Sequence, residues 1–600
     1  MSSTGKETSK KIVEEVLGKA RVEEIWSGNY NKALPVSIQN FDLGAVFPAV
    51  FYMFRYGFRR GKGKFLETFR KEESAKEVKI QDIALKLSQD DSNFQGFLEP
   101  VGQAILGDLL LSFCFENKKN AMGREEPVAR VAPVHYFSAH IDLPDEVGNL
   151  RYVPEMIVSM LADQPGEFVK MTQEKEKTWF PVGKRFDQNL LLKGFRKGVV
   201  RREPFSDHSS DRFDEKTLVG IDELLMIRVA QNLKQAPSKQ REEKGGNIPN
   251  QFPIASHATR KFSEDLRSFT QAYSGNIPRQ AFVPLLESCI AVGLSSVIFN
   301  VFKLLLNWGE TGEIIPKQNQ KPVEFFVDCS NGTNKDLRKL AEASFDDFLR
   351  QIKRIPVILM ALRILDYETM HDPECREKIK NIPTSPDATE WINFLGKLLF
   401  ERIEESKMLF YDLNKRSSEL AERLKKEEFA ETAEILENID AQKNPVWRLA
   451  EALTLLQGTG NTDGKISKMI YSATFAERPN GLLFKRTIKK GGSNRQTRYL
   501  IFTDSVLEYL VHRHLLNNKK EYRSLSFFKF LETLQKRYGF CVNKAPHGME
   551  ISNELLQKNR SILEHRLRDL GILIGVNDAE GMKYLKPRFK LEKEVSNGAE

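Results

Sequence analysis

The stretch GLLFKRTIKKGGSNRQTR, residues 481–498, carries Lys485, Arg486, Lys489, Lys490, Arg495 and Arg498 and no acidic residue. Gly491-Gly492-Ser493-Asn494 divides it into two short runs. Such punctuation between strand-length segments predicts a β-hairpin. Its cations make it a candidate for phosphate contact.

Working outward, Thr503-Asp504 is a helix start signal, and Val506, Leu507, Leu510 and Val511 form one apolar face of a helix to about Leu516. A second helix, rich in Phe, is expected from about Ser524 to Tyr538, with Gly539 stopping it. A third is expected from about Ser552 to Leu570. Its inner stripe is Leu556, Leu563, Leu567 and Leu570, and Gly571 is placed just past its end. ILIGV and MKYLKPRF, on either side of Asn577-Asp578, read as two short strands.

Three helices and a two-stranded wing are the order of a winged helix-turn-helix, which lays its third helix in the major groove and its wing on backbone phosphate. On that pattern Lys558, Arg560 and Arg568 are the third-helix candidates, and Lys583, Lys586 and Arg588 flank phosphates from the wing. One departure matters: the connection 539–551 is much longer than the usual turn of three or four residues. A module of this order used for protein contact is therefore the competing reading.

Charge supports the emphasis on this end. The chain of 600 residues carries a net +9. From Lys465 onward 26 Lys and Arg face 14 Asp and Glu, a surplus of twelve, so the preceding part is slightly acidic. A basic surplus confined to one module suits a polyanionic partner such as duplex DNA.

The rest reads as a large helical body. At about 150 residues per domain the length suggests three or four domains. We place an amino-terminal helical domain with a loop-rich insert at 1–233, a linker at 234–252, a central helical domain at 253–457 and the basic module at 465–600. Ile12, Val13, Val16, Leu17 and Ala20 predict an amphipathic helix over 9–26. The aromatic-rich run 47–71 places Phe51, Tyr52, Phe54, Tyr56 and Phe58 before Arg59, Arg60, Lys62 and Lys64. Interleaved aromatics and cations can stack bases, but a core helix ending in a Gly-Lys turn is favoured. PVGQAILGDLLLSFCF, residues 100–115, reads as a buried helix, 195–216 as an exposed linker, and 217–232 as helical. From Ser288 to Phe302 no residue is charged, but these 15 residues fall short of the ~20 that span a membrane. A buried central helix is expected from 281 to 308, with Gly293, Ser295 and Ser296 allowing close helix packing. Residues 388–440 predict a helical hairpin.

No catalytic motif stands out. His135, His140 and Asp142 in HYFSAHID, and Asp366, Glu368, His371, Asp372, Glu374 and Cys375 in DYETMHDPEC, hold metal-ligating residue types. The spacing of neither group fits a defined ligand set, so structural histidines and an interhelix loop are expected. EFFVDCSNGTNKDLRKLAEASFDDFL, residues 324–349, reads as strand, turn and helix, with Asp328 and Cys329 in a structural turn. TGNTDGKI, residues 459–466, lacks two of the defining positions of a phosphate loop, and the Gly458/Gly460 stretch reads as a linker into the terminal module. The five cysteines, Cys114, Cys289, Cys329, Cys375 and Cys541, form no CxxC pair, which argues against a zinc ribbon or a disulfide framework and suits a reducing cytoplasm. MSSTGKETSKK has no apolar stretch of a secretory signal, so a cytoplasmic chain with no membrane partner is expected.

The run from Phe282 through FVDCSNGT, together with APHGMEISNELLQKNRSILEHRLRDLGIL, resembles large helical subunits of multi-gene bacterial anti-phage defence systems, in which a DNA modification such as methylation marks self. The resemblance implies a partner-dependent component of a defence complex and carries over no residue roles. Together these readings predict a mainly α chain, a multi-domain helical body with a carboxy-terminal winged-helix-like α+β module. The expected function is a non-enzymatic, DNA-associated subunit needing no cofactor or metal. Its partners would be duplex DNA and other subunits, an ATPase or a methyltransferase among them. The alternatives are a metal-dependent nuclease subunit and a protein scaffold without DNA contact.

Overall fold

A computed structural model of the chain describes residues 3–56, 68–72, 77–89, 94–116, 127–141, 150–162, 173–174, 177–178, 189–201, 211–214, 216–232, 253–371, 388–427, 429–438, 444–458, 460–490, 493–575 and 583–591. Among them the protein is mainly helical, and its strands form two-stranded pairs rather than one large sheet. The expected linker 234–252 lies outside the described residues.

The organising element is one helix, Arg279–Thr311. The uncharged run predicted it, and the surroundings explain it: an element apolar on all sides is stable only when other elements cover it. Its length and hydropathy would also suit a membrane span, but most of that window is buried inside the protein. Gly293 is needed there, because a Cβ would lie 2.0 Å from the Phe262 ring on helix Ser256–Tyr273. Gly312, in the left-handed region at φ 75°, ends the helix, its N–H donating to Trp308 O.

The amino-terminal helix is broken in two, Ser3–Leu17 and Lys19–Ile25, because Gly18 takes φ 89°. Arg21 pairs with Glu368 at 2.7 Å and Lys32 with Asp366 at 2.6 Å. Those carboxylates therefore sit on helix Ile355–His371 and hold the amino-terminal segment. The expectation of an interhelix loop is corrected for 366–371; Asp372, Glu374 and Cys375 lie outside the described residues. In Val46–Tyr56 the rings of Phe47, Phe51 and Tyr52 are fully buried, as the core reading predicted. Phe58, Arg59, Arg60, Lys62 and Lys64 lie outside the described residues.

Three local expectations need correcting. Helix Pro100–Leu110 buries only Leu106 and Leu110, and Val101 is 72% exposed. Apolar residues without helical segregation cannot all face one core. The segment 195–216 contains paired strands, Val199–Arg201 with Asp211–Phe213. Helix Asp463–Ala473 begins after the Gly458/Gly460 stretch, with Asp463 in its first turn. The expected helical hairpin over 388–440 is three helices, Thr389–Leu399, Glu405–Lys425 and Ala430–Glu437.

At the carboxy-terminal end, Leu483–Lys490 pairs antiparallel with Ser493–Leu500. Three helices follow: Asp504–Leu515; Phe527–Thr533, continued by a π-helical turn Leu534–Tyr538; and Asn553–Asp569. Leu573–Ile574 then pairs antiparallel with Tyr584–Leu585. The segment entering the second helix joins them, since Ser526 bridges Tyr584 and Leu585 N–H donates to Leu525 O at 2.9 Å.

Long-range pairings tie this end to the centre. Phe540–Cys541 runs parallel to Phe325–Phe326, and Ile501 bridges Asp328. Buried Asn559 on the third helix donates to Val327 O and Val542 O and accepts from Cys329 N–H, each at 3.0 Å. On the other side, buried Asp265 accepts from Arg537 at 2.6 Å and from the Tyr538 hydroxyl at 2.7 Å, while Arg513 Nε lies 2.7 Å away. Burial alone would raise the Asp265 pKa, but the two guanidinium groups outweigh it and hold the carboxyl below its ordinary value.

Candidate nucleic-acid interface

The hairpin's periodicity decides where its cations stand. Alternate residues point to opposite faces of a strand, so Phe484 and Tyr499 share one face with rings 5.1 Å apart. They pack with Leu337, Leu340 and Ala341 of helix Lys335–Gln351. Lys485 and Arg498 stand directly opposite each other on the other face. Tyr471, at the end of the preceding helix, receives both: Lys485 Nζ lies 4.8 Å and the Arg498 guanidinium carbon 5.6 Å from its ring centroid. Like charges placed across a strand pair destabilise it, and the π-face offsets part of that cost. Arg498 Nε is buried without a hydrogen-bond partner among the described residues. Arg486 is exposed. Lys489, Lys490 and Arg495 lie on the distal part of the hairpin, and their side chains lie outside the described residues. Tyr471 was missed by reading the sequence. Its only signal is an aromatic residue ten positions before the basic run, which ordinary core packing would explain equally well.

The third helix divides its residues by face. Leu556, Asn559, Leu563 and Leu567 are buried, whereas Gln557, Lys558, Ser561, His565 and Arg568 are exposed. Arg566 is held inward, donating to Phe502 O at 2.7 Å, to Cys329 O at 3.1 Å and to the Asp504 carboxylate at 2.6 Å. Arg560 is half-buried. Arg568 and Lys583 share Glu564, at 2.7 and 2.9 Å. Lys583 is buried and faces this helix rather than solvent. Arg588 pairs with Glu508 at 3.0 Å, and Lys586 is exposed. Of the twelve candidate cations, Arg486, Lys558 and Lys586 are thus exposed with no ion pair among the described residues. Arg568 and Arg588 would have to exchange a carboxylate for a phosphate.

The competing chemistry finds little support in the geometry. His135 is buried: its Nδ1 accepts from Phe137 N–H and its Nε2 reaches Lys197 O at 3.2 Å. Both ring nitrogens are therefore used by backbone, and burial pushes its pKa down to about 3. His140 is buried too, and Asp142 lies outside the described residues. Among the described residues no group of three His, Cys, Asp or Glu could hold a metal ion. Asp328 closes the turn after Phe325–Phe326, accepting from Ser330 N–H and Gly332 N–H at 2.8 Å and from the Ser330 hydroxyl at 2.6 Å. Cys329 beside it is buried, which raises its thiol pKa. This is the structural turn expected from the sequence.

A family model described as methylation-associated defense system protein MAD7 matches residues 29–589. No curated protein matches the chain. The family match agrees with the resemblance carried by 282–333 and 545–573. The chain belongs to this family and is one subunit of a multi-gene anti-phage defence system.

Proposed function

We propose that this member of the methylation-associated defense family is a non-enzymatic, cytoplasmic subunit that holds duplex DNA by its phosphates for other subunits of the system. The carrying observation is the hairpin Leu483–Leu500, where Lys485 and Arg498 are opposed across the strands and share the Tyr471 ring. Two cations kept side by side at a stability cost suit a dianionic stretch of backbone that neutralises both. The order that follows supports a winged-helix reading. A helix, an isolated bridge from Ser526 to Tyr584, two further helices and the pair Leu573–Ile574 with Tyr584–Leu585 follow in that order. The outer face of the third helix, with Lys558, and the wing, with Lys586, then lie to the DNA side.

The test is fluorescence anisotropy of the full chain with a labelled duplex across a salt series. Binding is expected to weaken steeply, with a log–log slope of about −0.9 per phosphate contact. Lys485→Glu, Arg486→Glu, Lys489→Glu and Lys490→Glu together are expected to flatten the slope. No binding at low salt would overturn the DNA reading.

A second reading rests on a different observation. Phe528, Ile574 and Tyr584 are 53%, 52% and 40% exposed, and Ile574 and Tyr584 are cross-strand partners. An apolar surface on the wing suits contact with a partner subunit. Pull-down of partner subunits that survives nuclease treatment and is lost in Ile574→Asp would favour it.

A further inference from the structure

We propose that the cleft between helix Lys335–Gln351 and the π-helical turn Leu534–Tyr538 binds a small phosphorylated ligand with a flat apolar ring, a nucleotide in chemical class. The cleft has a volume of about 890 Å3, within the usual range for small-molecule sites. Its walls come from parts of the chain far apart in sequence: the central helix, the segment 321–324, helix Lys335–Gln351, the π-turn and the loop 544–549. It is independent of the DNA reading, since none of the twelve candidate DNA-contacting cations lines it.

Three features point to an anion. First, Lys303, Lys321, Lys536 and Lys544 line the cleft. Second, its two carboxylates are already engaged. Glu324 accepts from His547 N–H at 2.9 Å and from Gln535 at 3.4 Å, and Asp347 accepts from Arg350 at 3.0 Å and Gln351 at 2.8 Å. Lys536 has Glu532 as its partner. Lys303 reaches only Lys321 O, at 3.5 Å, and Lys321 and Lys544 have no carboxylate partner among the described residues. Third, Lys303 is exposed at its tip but partly desolvated by the wall, which lowers its pKa, with Glu324 opposing that and Lys321 adding to it. A phosphate there would relieve that penalty.

The apolar half of the ligand follows from the rest of the lining. Leu306, Val323 and Met549 are half-buried and present hydrocarbon and thioether surface to the same space. A thioether and branched aliphatic groups suit the face of an aromatic ring. The backbone is also specialised here. Single π-helical turns are uncommon and are frequently found at functional sites, and this one supplies Gln535 and Lys536. Gly539 follows it at φ 76°, where a Cβ would stand 1.9 Å from Val323 O, so the two walls meet through bare backbone.

Isothermal titration of the full chain with ATP, AMP and inorganic pyrophosphate tests the proposal, with DNA anisotropy measured in parallel. Saturable binding of AMP or ATP is expected, at least about tenfold tighter than pyrophosphate, a difference of ~1.4 kcal/mol. Lys321→Ala with Lys544→Ala, both exposed, is expected to weaken it at least tenfold without changing the melting temperature or DNA binding. Lys303→Ala is expected to do the same. No saturable heat with any probe overturns the site. Equal affinity for pyrophosphate overturns the ring half, and unchanged affinity in the lysine variants overturns the location. Competition by duplex DNA would make the cleft part of the DNA interface and overturn a separate small-ligand site.

Discussion

Acidification to about pH 5 is expected to loosen the carboxy-terminal helices. Helix Asp504–Leu515 carries His512 and His514, both buried, and burial lowers their pKa values to about 4 and about 3. Each is fixed in a neutral form. His512 Nδ1 donates to Glu508 O at 2.7 Å, and its Nε2 accepts from Arg588 N–H at 3.0 Å. His514 Nε2 donates to the Tyr538 hydroxyl at 2.9 Å, because that hydroxyl donates to Asp265. Protonating His512 would set two N–H groups against each other. The unfolded chain takes up these protons near pH 6.5, whereas the folded chain resists until about 4 and about 3. The unfolded state therefore binds more protons below about pH 6.5, and stability falls with pH by ~1.36 kcal/mol per unit for each group. At about pH 5 the two histidines together remove roughly 4 kcal/mol, and His135 removes roughly 2 more from the amino-terminal part. Asp328, Asp463 and Glu508, whose pKa values burial raises, act in the opposite sense and offset part of that loss. Urea unfolding at about pH 7.5, 6 and 5, followed by tryptophan fluorescence and circular dichroism, measures the loss. His514→Gln keeps a donor toward Tyr538 and cannot titrate, so it should reduce the slope by ~1.36 kcal/mol per pH unit. An unfolding free energy that stays flat from pH 7.5 to 5 would refute the reasoning.

Asn559→Ala should destabilise the chain by about 3 kcal/mol, since three buried backbone groups lose their partner; a melting temperature within experimental error of the parent would count against it. Gly539→Ala should cost at least as much, because φ is positive and the new methyl meets Val323 O, and limited proteolysis should then cut more readily near residue 539. Asp265→Ala leaves half-buried Arg513 without a carboxylate among the described residues and Arg537 with Glu264 alone, and should cost about 3 kcal/mol, read as a lower urea midpoint. Cys114, Cys289, Cys329 and Cys541 are buried with raised thiol pKa values. Peptide mass spectrometry after native iodoacetamide treatment at about pH 8 should find them unmodified, and rapid labelling of any of the four would contradict the packing.

Much of the local structure was legible because local signals settle it. The apolar run around 288–302 lies in a buried helix, FVDCSNGT forms a strand and turn, and Gly539 and Gly571 stand just past helix ends. The basic runs around Gly491-Gly492 pair in register from Leu483↔Leu500 outward. What escaped depends on partners distant in sequence. Nothing near Asp265 announces Arg513 and Arg537, and nothing near Phe325 announces Phe540. Thr503 shows the same limit at short range: it occupies the N-cap position, but its hydroxyl donates to Gly481 O instead of capping the helix. At the candidate interface the cations were legible as residue types. Whether each is free, like Lys558, or already held, like Lys583, depends on Glu564 and on packing that no spacing rule encodes.

The parallel pairing of Phe325–Phe326 with Phe540–Cys541 also sets a clock on synthesis. Its two strands are separated by about 215 residues of chain. A ribosome adding roughly 5–20 residues per second leaves the first strand without its partner for ~10–40 s. During that interval its edge groups can pair with another nascent chain or be covered by a chaperone. Messages truncated before residue 540 would yield chains in which that exposure never ends. Such products should accumulate in the insoluble fraction, whereas the full-length chain can close the edge as soon as residues 540–541 leave the exit tunnel.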